Sequence, residues 1–481
     1  MMRLNQLARF KTGIEGLDSL FGGGLFTGAS YLIQGRPGSG KTILTNQIAF
    51  HHARQGGHVI YATLLSESHD RMFGFLSTMD FFDGNLIGSD IEYLSAFDTL
   101  SSEGLDAVIK LLRREIIRSK TSLLIVDGLL NARSRAETPL DTKKFIAELQ
   151  AHAGFVGCTL LFLTGATLDE GSPELTMVDG MILMEEQHLG VRSIRRISVR
   201  KSRGSAAIPG EHEYQINHQG VTVYPRLEAY LNTPPLLAKP KAEKICSGVY
   251  ALDEALSGGL HRSSVSLILG PSGSGKTTLG LNFILQSTAD EPGLFFGFYE
   301  TPDQLTQKAQ ALDLDLQAAV DAGIVRICWQ STTELQLDSV GYKLLKAVRD
   351  SNTKRVFIDS LGAMARSAIE QARLIEFFGA LFNELRRMNV TVYGTWEIRG
   401  FLSSDISTSS PELCSLADNL FTIHFDERDD EFEGVFSILK LRNSAFDRSK
   451  KLINIGAGGV SLVARHKNNE KGKQSSSVPN T

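Results

Sequence analysis

Two stretches of this chain have the residue types and spacing of a phosphate cradle. Gly35-Arg36-Pro37-Gly38-Ser39-Gly40-Lys41-Thr42 and Gly270-Pro271-Ser272-Gly273-Ser274-Gly275-Lys276-Thr277 each satisfy G-x-x-x-x-G-K-S/T, and Thr278 extends the second. Glycines in such a loop let backbone N–H groups close around phosphate oxygens, and a following helix adds partial positive charge at its N-terminus. The lysine of each loop, Lys41 or Lys276, reaches the β- and γ-phosphates, while the Thr42 or Thr277 hydroxyl is placed to bind Mg²⁺. Each loop follows a short apolar run, 29–34 or 265–269, and opens a helix-like segment, 43–48 or 279–284. Strand, glycine loop and helix in that order give the motif its meaning. Two complete copies in context predict two nucleoside-triphosphate sites per chain, each with Mg²⁺.

Hydrolysis needs carboxylates as well. Leu123-Leu124-Ile125-Val126 ends in Asp127, and Arg355-Val356-Phe357-Ile358 ends in Asp359. A buried strand that delivers an aspartate close to the loop threonine is the Walker-B arrangement, and it makes Asp127 and Asp359 candidate metal residues. The competing reading is an ordinary turn or helix-cap aspartate. A water-orienting glutamate is expected just after the next core strand, as in P-loop proteins of the RecA kind. The runs 59–65 and 294–299 read as those strands, and Glu67 and Glu300 follow them. A solvated helix-cap acid is the alternative for both. Finally, Lys201 and Arg203, like Lys440 and Arg442, lie two residues apart in strand-like runs. Strand alternation puts Val199, Lys201 and Arg203 on one face, and Lys440 with Arg442. Two cations there suit stabilisation of charge on a transferring phosphoryl group. A basic solvent face is the plainer reading.

The elements that must position these residues come in two copies. Gly13-Ile14-Glu15-Gly16-Leu17-Asp18 with Gly23-Gly24-Leu25 recurs as Gly248-Val249-Tyr250-Ala251-Leu252-Asp253 with Gly258-Gly259-Leu260. Pro173-Glu174-Leu175 recurs as Pro411-Glu412-Leu413, and the Walker-B strands and Lys-x-Arg runs repeat in the same order. A repeat this long is a whole domain rather than a solenoid turn. The expected boundaries are 1–230, a proline-rich linker 231–245, 246–465, and a polar tail 466–481 without aliphatic periodicity. Short apolar runs alternate with amphipathic stretches such as 141–152 and 372–387, which predicts an α/β fold with mostly parallel sheets.

The chain has 481 residues, 42% hydrophobic and 22% charged, with a net charge of −4. No global basic field draws it to nucleic acid or an acidic membrane. Its four cysteines are scattered without a C-x-x-C, which fits a reduced, cytoplasmic protein without a zinc ribbon. The N-terminal residues have no apolar signal core, and the longest apolar run is too short to span a bilayer.

Taken together, the Gly-x-x-x-Leu-Asp openings, Gly-Gly-Leu turns, paired P-loops, post-strand glutamates and Lys-x-Arg strands resemble the KaiC family over nearly the whole chain. The resemblance implies two tandem RecA-like P-loop NTPase domains, a two-tiered homo-hexameric ring and ATP at subunit interfaces. It implies that Lys201, Arg203, Lys440 and Arg442 act in trans on a neighbour's ATP. It also implies Ser/Thr autokinase activity in the second domain and a KaiB-like or other signalling protein as partner. Some residues depart from the pattern. Circadian members carry paired glutamates in both halves, whereas here Ser66 and Tyr299 replace the first of each pair. Aligning the first half requires a two-residue insertion near Leu64-Leu65. The family's phosphorylated Ser-Thr pair aligns with Cys414 and Ser415. A two-site clock-like cycle is therefore not expected, and Ser415 is the candidate phosphoacceptor, with Ser409 and Ser410 nearby. Two other functions fit the same loops. One is a DNA-handling RecA or helicase motor, which the acidic balance and missing basic stripe oppose. The other is a nucleotide-gated assembly scaffold with negligible turnover.

Overall fold

The computed structural model describes residues 8–66, 69–136, 138–165, 168, 172–231, 243–398, 412–428 and 431–465. The chain divides after Tyr230 into two compact units. Each is built on a nine-stranded sheet, and the strand order is the same in both.

In the first unit the order is Ile91–Ser95, Val59–Thr63, Leu123–Asp127, Thr159–Thr164, Ser30–Gly35, Gly180–Leu189, Arg192–Ser202, His212–Asn217 and Gly220–Tyr224. Pairing is parallel as far as Gly180–Leu189 and antiparallel beyond it. The second unit repeats this with Val325–Trp329, Gly293–Gly297, Arg355–Asp359, Thr391–Glu397, Val265–Gly270, Asn419–Arg428, Glu431–Leu441, Lys451–Gly456 and Gly459–Ala464. The P-loop strand lies inside each sheet, between two parallel neighbours. All six of its residues are buried, so an apolar run without alternation is what this position requires.

Helices cover the faces. Leu105–Arg118 buries Val108, Ile109, Leu112 and Ile116, a stripe at helical spacing. Leu374–Arg387 does the same with Phe377, Phe378, Leu381 and Leu385. In the first unit Leu44, Ile48, Phe50, Tyr61 and Ile125 pack on one face of the sheet, and Leu32, Ile60, Leu124, Phe145 and Phe162 on the other. This packing fixes the carboxyl ends of the parallel strands at one edge. Thr63 lies opposite Asp127, and Asp127 opposite Leu163. Open α/β sheets bind ligands beyond that edge.

Some sequence expectations need adjusting. The strands after the P-loop helices are shorter than read, Val59–Thr63 and Gly293–Gly297. The stretch 141–152 lies in a longer helix, Pro139–Val156, which starts at a proline, with Asp141 accepting from the Thr138 backbone N–H, whereas 372–387 is helical as Leu374–Arg387. Lys244–Ile245, read as linker, pairs with Leu260–His261, and Ile245 is buried in the second unit's core. Residues 232–242 of the expected linker and the tail 466–481 lie outside the described residues.

Candidate functional site

The cradle begins with backbone geometry. Gly40 and Gly275 cap the P-loop helices in the left-handed region, at φ 90° and 91°. A side chain there would be strained, and in the second unit its Cβ would also meet Ile455 Cδ1 at 2.8 Å. Gly38 and Gly273 also have positive φ, and a Cβ on either would meet nothing within 4 Å. The tip of each loop is therefore open, as an anion-binding cradle requires. Lys41 Nζ donates to Gly35 O at 2.7 Å and Arg36 O at 3.1 Å. Lys276 Nζ donates to Gly270 O at 2.9 Å and to Pro271 O. Burial lowers both lysine pKa values from their usual range, and the Asp127 or Asp359 charge opposes the shift. Glu397 adds to that opposition in the second unit.

The second unit opens a cleft of about 600 Å³ beyond the strand ends. Ser272, Gly273, Gly275, Lys276, Thr277, Thr278, Glu300 and Asp359 line it. Six of the sequence-selected loop residues thus share one cavity with both candidate carboxylates. Asp359 is held from two sides. Thr277 Oγ1 donates to its Oδ2 at 2.7 Å, and Thr395 Oγ1 donates to its Oδ1 at 2.6 Å. A loop hydroxyl facing a carboxylate at this distance fits a Mg²⁺ site completed by phosphate and water oxygens. Glu300 follows the shortened strand and pairs with Lys308. Among the described residues its Oε2 is buried without a hydrogen-bond partner.

The first unit differs in detail. Asp127 accepts from the Tyr61 hydroxyl at 3.0 Å. Burial, reinforced by the Asp127 charge, raises the Tyr61 phenol well above its usual range, so it stays a donor. Tyr214 OH donates to Ser39 O at 2.7 Å and steadies the loop from behind. Pro37 lies in the exposed part of the same loop. Glu67 lies outside the described residues, as do Ser409 and Ser410.

Val199 is not where simple alternation puts it relative to the Lys-x-Arg pair. A register shift falls beside Val199 in one sheet and beside Ile438 in the other, leaving Arg200 and Leu439 as extra residues. Such a bulge breaks the two-residue period, so Val199 does not share a face with Lys201 by alternation. The cations still converge. Lys201 Nζ donates to Leu175 O and Thr176 O, both at 3.0 Å, and Arg203 reaches Thr176 O at 3.3 Å. Lys440 Nζ donates to Cys414 O at 3.1 Å and Ala417 O at 2.7 Å, and Arg442 to Ser415 O at 2.9 Å. In each unit the pair closes the carbonyl end of a short helix, Pro173–Met177 or Leu413–Leu416. Lys440 and Arg442 do not line the cleft of their own P-loop. Ser415 is exposed, and its hydroxyl donates to Glu412 O at 2.6 Å. Burial pushes the neighbouring Cys414 thiol up from its ordinary pKa, which keeps it protonated.

Lys308, Thr395, Glu397 and Tyr61 were not singled out from sequence. Thr395 and Glu397 end a strand adjacent to the Walker-B strand, and knowledge of the sheet order would have found them. Lys308 lies two helical turns beyond Glu300, which sequence spacing alone does not mark.

A family model described as the KaiC ATPase matches residues 10–228 and 245–467. The chain belongs to the KaiC ATPase family. Its two P-loop units are accordingly tandem RecA-like ATPase domains. Among curated proteins it is 23% identical over 485 residues to the circadian clock oscillator protein KaiC of Picosynechococcus sp., covering 96% of this chain and 91% of that one. The protein of the same description from Nostoc sp. is 24% identical over 482 residues, with 97% and 91% covered. That of Synechococcus elongatus is 23% identical over 485 residues, again with 97% and 91% covered. KaiC-type architecture thus spans both repeats. Among the described residues, no helix is long and apolar enough to cross a membrane.

Proposed function

We propose that this chain binds ATP with Mg²⁺ at both P-loops and hydrolyses it at the subunit interfaces of a homo-hexameric ring. The observation that carries the reading is the second unit's cleft, where Lys276, Thr277, Asp359 and Glu300 meet at the carboxyl ends of parallel strands. Lys41 and Lys276 neutralise phosphate charge, and the loop N–H groups orient the chain of phosphates. Thr277 and Asp359, like Thr42 and Asp127, would hold Mg²⁺, which when bound offsets charge on the β- and γ-oxygens. In the hydrolytic step, a water oxygen bonds to the γ-phosphorus while the bond to the β–γ bridging oxygen breaks. ADP leaves with that electron pair, and the water proton passes to the Glu300 carboxylate. Glu67 is assigned the same role in the first unit. Lys201 with Arg203, and Lys440 with Arg442, serve the nucleotide of a neighbouring subunit. In the second unit, the clustering of Lys440 and Arg442 at a helix end outside the cleft of their own P-loop supports this assignment. Ring formation, and a KaiB-like or other signalling protein as partner, are part of the same proposal and rest on the resemblance to the KaiC family.

The test uses the full chain with the first Walker-B carboxylate removed by Asp127→Asn. Adding Glu300→Gln should lower the residual turnover by about 10²-fold or more, the scale of a lost general base. ATP affinity should hold, because glutamine keeps the size of the side chain. A residual rate that does not change would remove Glu300 from the mechanism.

One further observation favours autophosphorylation. The exposed Ser415 hydroxyl sits on the helix end that Lys440 and Arg442 close. Cations placed for a neighbour's γ-phosphate would bring that hydroxyl to the same phosphate, so we assign Ser415 as the phosphoacceptor.

A further inference from the structure

The second unit's cleft contains a cation that neither the P-loop nor the Lys-x-Arg strand supplies. Lys308 belongs to the helix Pro302–Gln310, whose start is fixed by Pro302 and by the Thr301 side chain accepting from Gln304 N–H. Leu305 and Ala309 bury one side of that helix, and Lys308 lines the cleft beside them. Its ammonium donates to Glu300 Oε1. The partners are eight residues apart, outside the i,i+3 and i,i+4 pairs that any exposed helix can form. They meet across the bend at 298–300 that leads from Gly293–Gly297 into the helix. The pair occupies one oxygen of the carboxylate. The other, Oε2, is buried without a hydrogen-bond partner among the described residues.

We propose that Lys308 is a restraint on the hydrolytic carboxylate, a positioning residue that sets turnover in the second unit. This rests on the reading that Glu300 takes the proton of the attacking water. To reach the attacking water the carboxylate must turn its remaining oxygen against the hold of the ammonium. That slows the step and leaves ATP binding alone. The side chains are 37% and 33% exposed, so the pair is solvent-screened and weak. Releasing it is worth about two- to fivefold in rate.

The experiment compares Lys308→Met and Lys308→Arg, each with and without Glu300→Gln, in the full chain carrying Asp127→Asn. Steady-state kinetics separate kcat from KM. Lys308→Met should raise kcat by about two- to fivefold with KM for ATP unchanged. Lys308→Arg keeps the ion pair and should match the parent. The gain should vanish when Glu300→Gln is present. A lower or unchanged kcat in Lys308→Met overturns the restraint. A raised KM at constant kcat overturns it in favour of direct phosphate binding. A gain that survives Glu300→Gln overturns it too, because the effect would not pass through the carboxylate. Parent turnover in Glu300→Gln alone is a separate failure, that of the hydrolytic reading on which the restraint depends.

Discussion

Thr395→Val tests the second unit's proposed metal site through one hydrogen bond. Thr395 is fully buried, at 0% exposure, and its Oγ1 lies 2.6 Å from Asp359 Oδ1. Valine keeps the shape and removes the donor. A hydrogen bond to a charged acceptor contributes about 1.5–3 kcal/mol, or roughly 10- to 150-fold in an equilibrium constant. Part of that loss is recovered as the carboxylate turns toward water in the open cleft. Thr277 still donates to Oδ2 at 2.7 Å, so the aspartate is not abandoned. The Mg²⁺ concentration for half-maximal hydrolysis in the second unit should therefore rise by about tenfold, the lower end of the range for outer partners of metal sites. The first unit is untouched, because Leu163 stands opposite Asp127 in its ladder. A Mg²⁺ titration of ATP hydrolysis by the intact chain should become biphasic. Tyr61→Phe should do the reverse and shift only the first unit's phase, since its hydroxyl contacts Asp127 at 3.0 Å. A single Mg²⁺ curve overlaying the parent for Thr395→Val, from protein with an unchanged thermal transition, would refute the reasoning.

Three more outcomes follow from the same geometry. Nucleotide bound between subunits favours the ring by linkage, and Lys41→Ala should weaken ATP-dependent assembly more than Lys276→Ala; light scattering with and without ATP reads the difference, and equal yields count against it. Gly275→Ala forces a side chain into a residue at φ 91°, which costs about 1–2 kcal/mol and should lower the second unit's melting temperature and its ATP affinity together. If Ser415 accepts phosphate across an interface, mixing Ser415→Ala chains with Lys276→Ala chains should restore labelling that neither shows alone, and intact-mass spectra of wild type without added phosphate during turnover would leave a plain ATPase.

The parts of the site encoded locally were legible in the sequence. The P-loops declare themselves because each glycine answers a backbone requirement within a few residues. Asp127 and Asp359 declare themselves because a wholly buried strand must be apolar up to its last residue. Lateral relations were not legible. Thr395 reaches Asp359 only because Thr391–Glu397 pairs beside Arg355–Asp359, and nothing in either segment announces that neighbour. The Lys-x-Arg argument failed at one step for a similar reason. Alternation assumes an unbroken ladder, and the register shifts beside Val199 and Ile438 are properties of the pairing.

The two halves also solve one problem in opposite directions. In each sheet the Walker-B aspartate has a strand on either side. In the first unit the outer strand supplies a hydroxyl from Tyr61, and the inner position opposite Asp127 is Leu163. In the second, Phe295 occupies the place that matches Tyr61, opposite Phe357, and the inner strand supplies Thr395. Tyr61 is fully buried and stacks on Tyr93, and Thr395 is equally buried behind the wall of the cleft. A chain built by duplication can in this way carry two complete P-loops whose dependence on Mg²⁺ and rates of turnover are set independently.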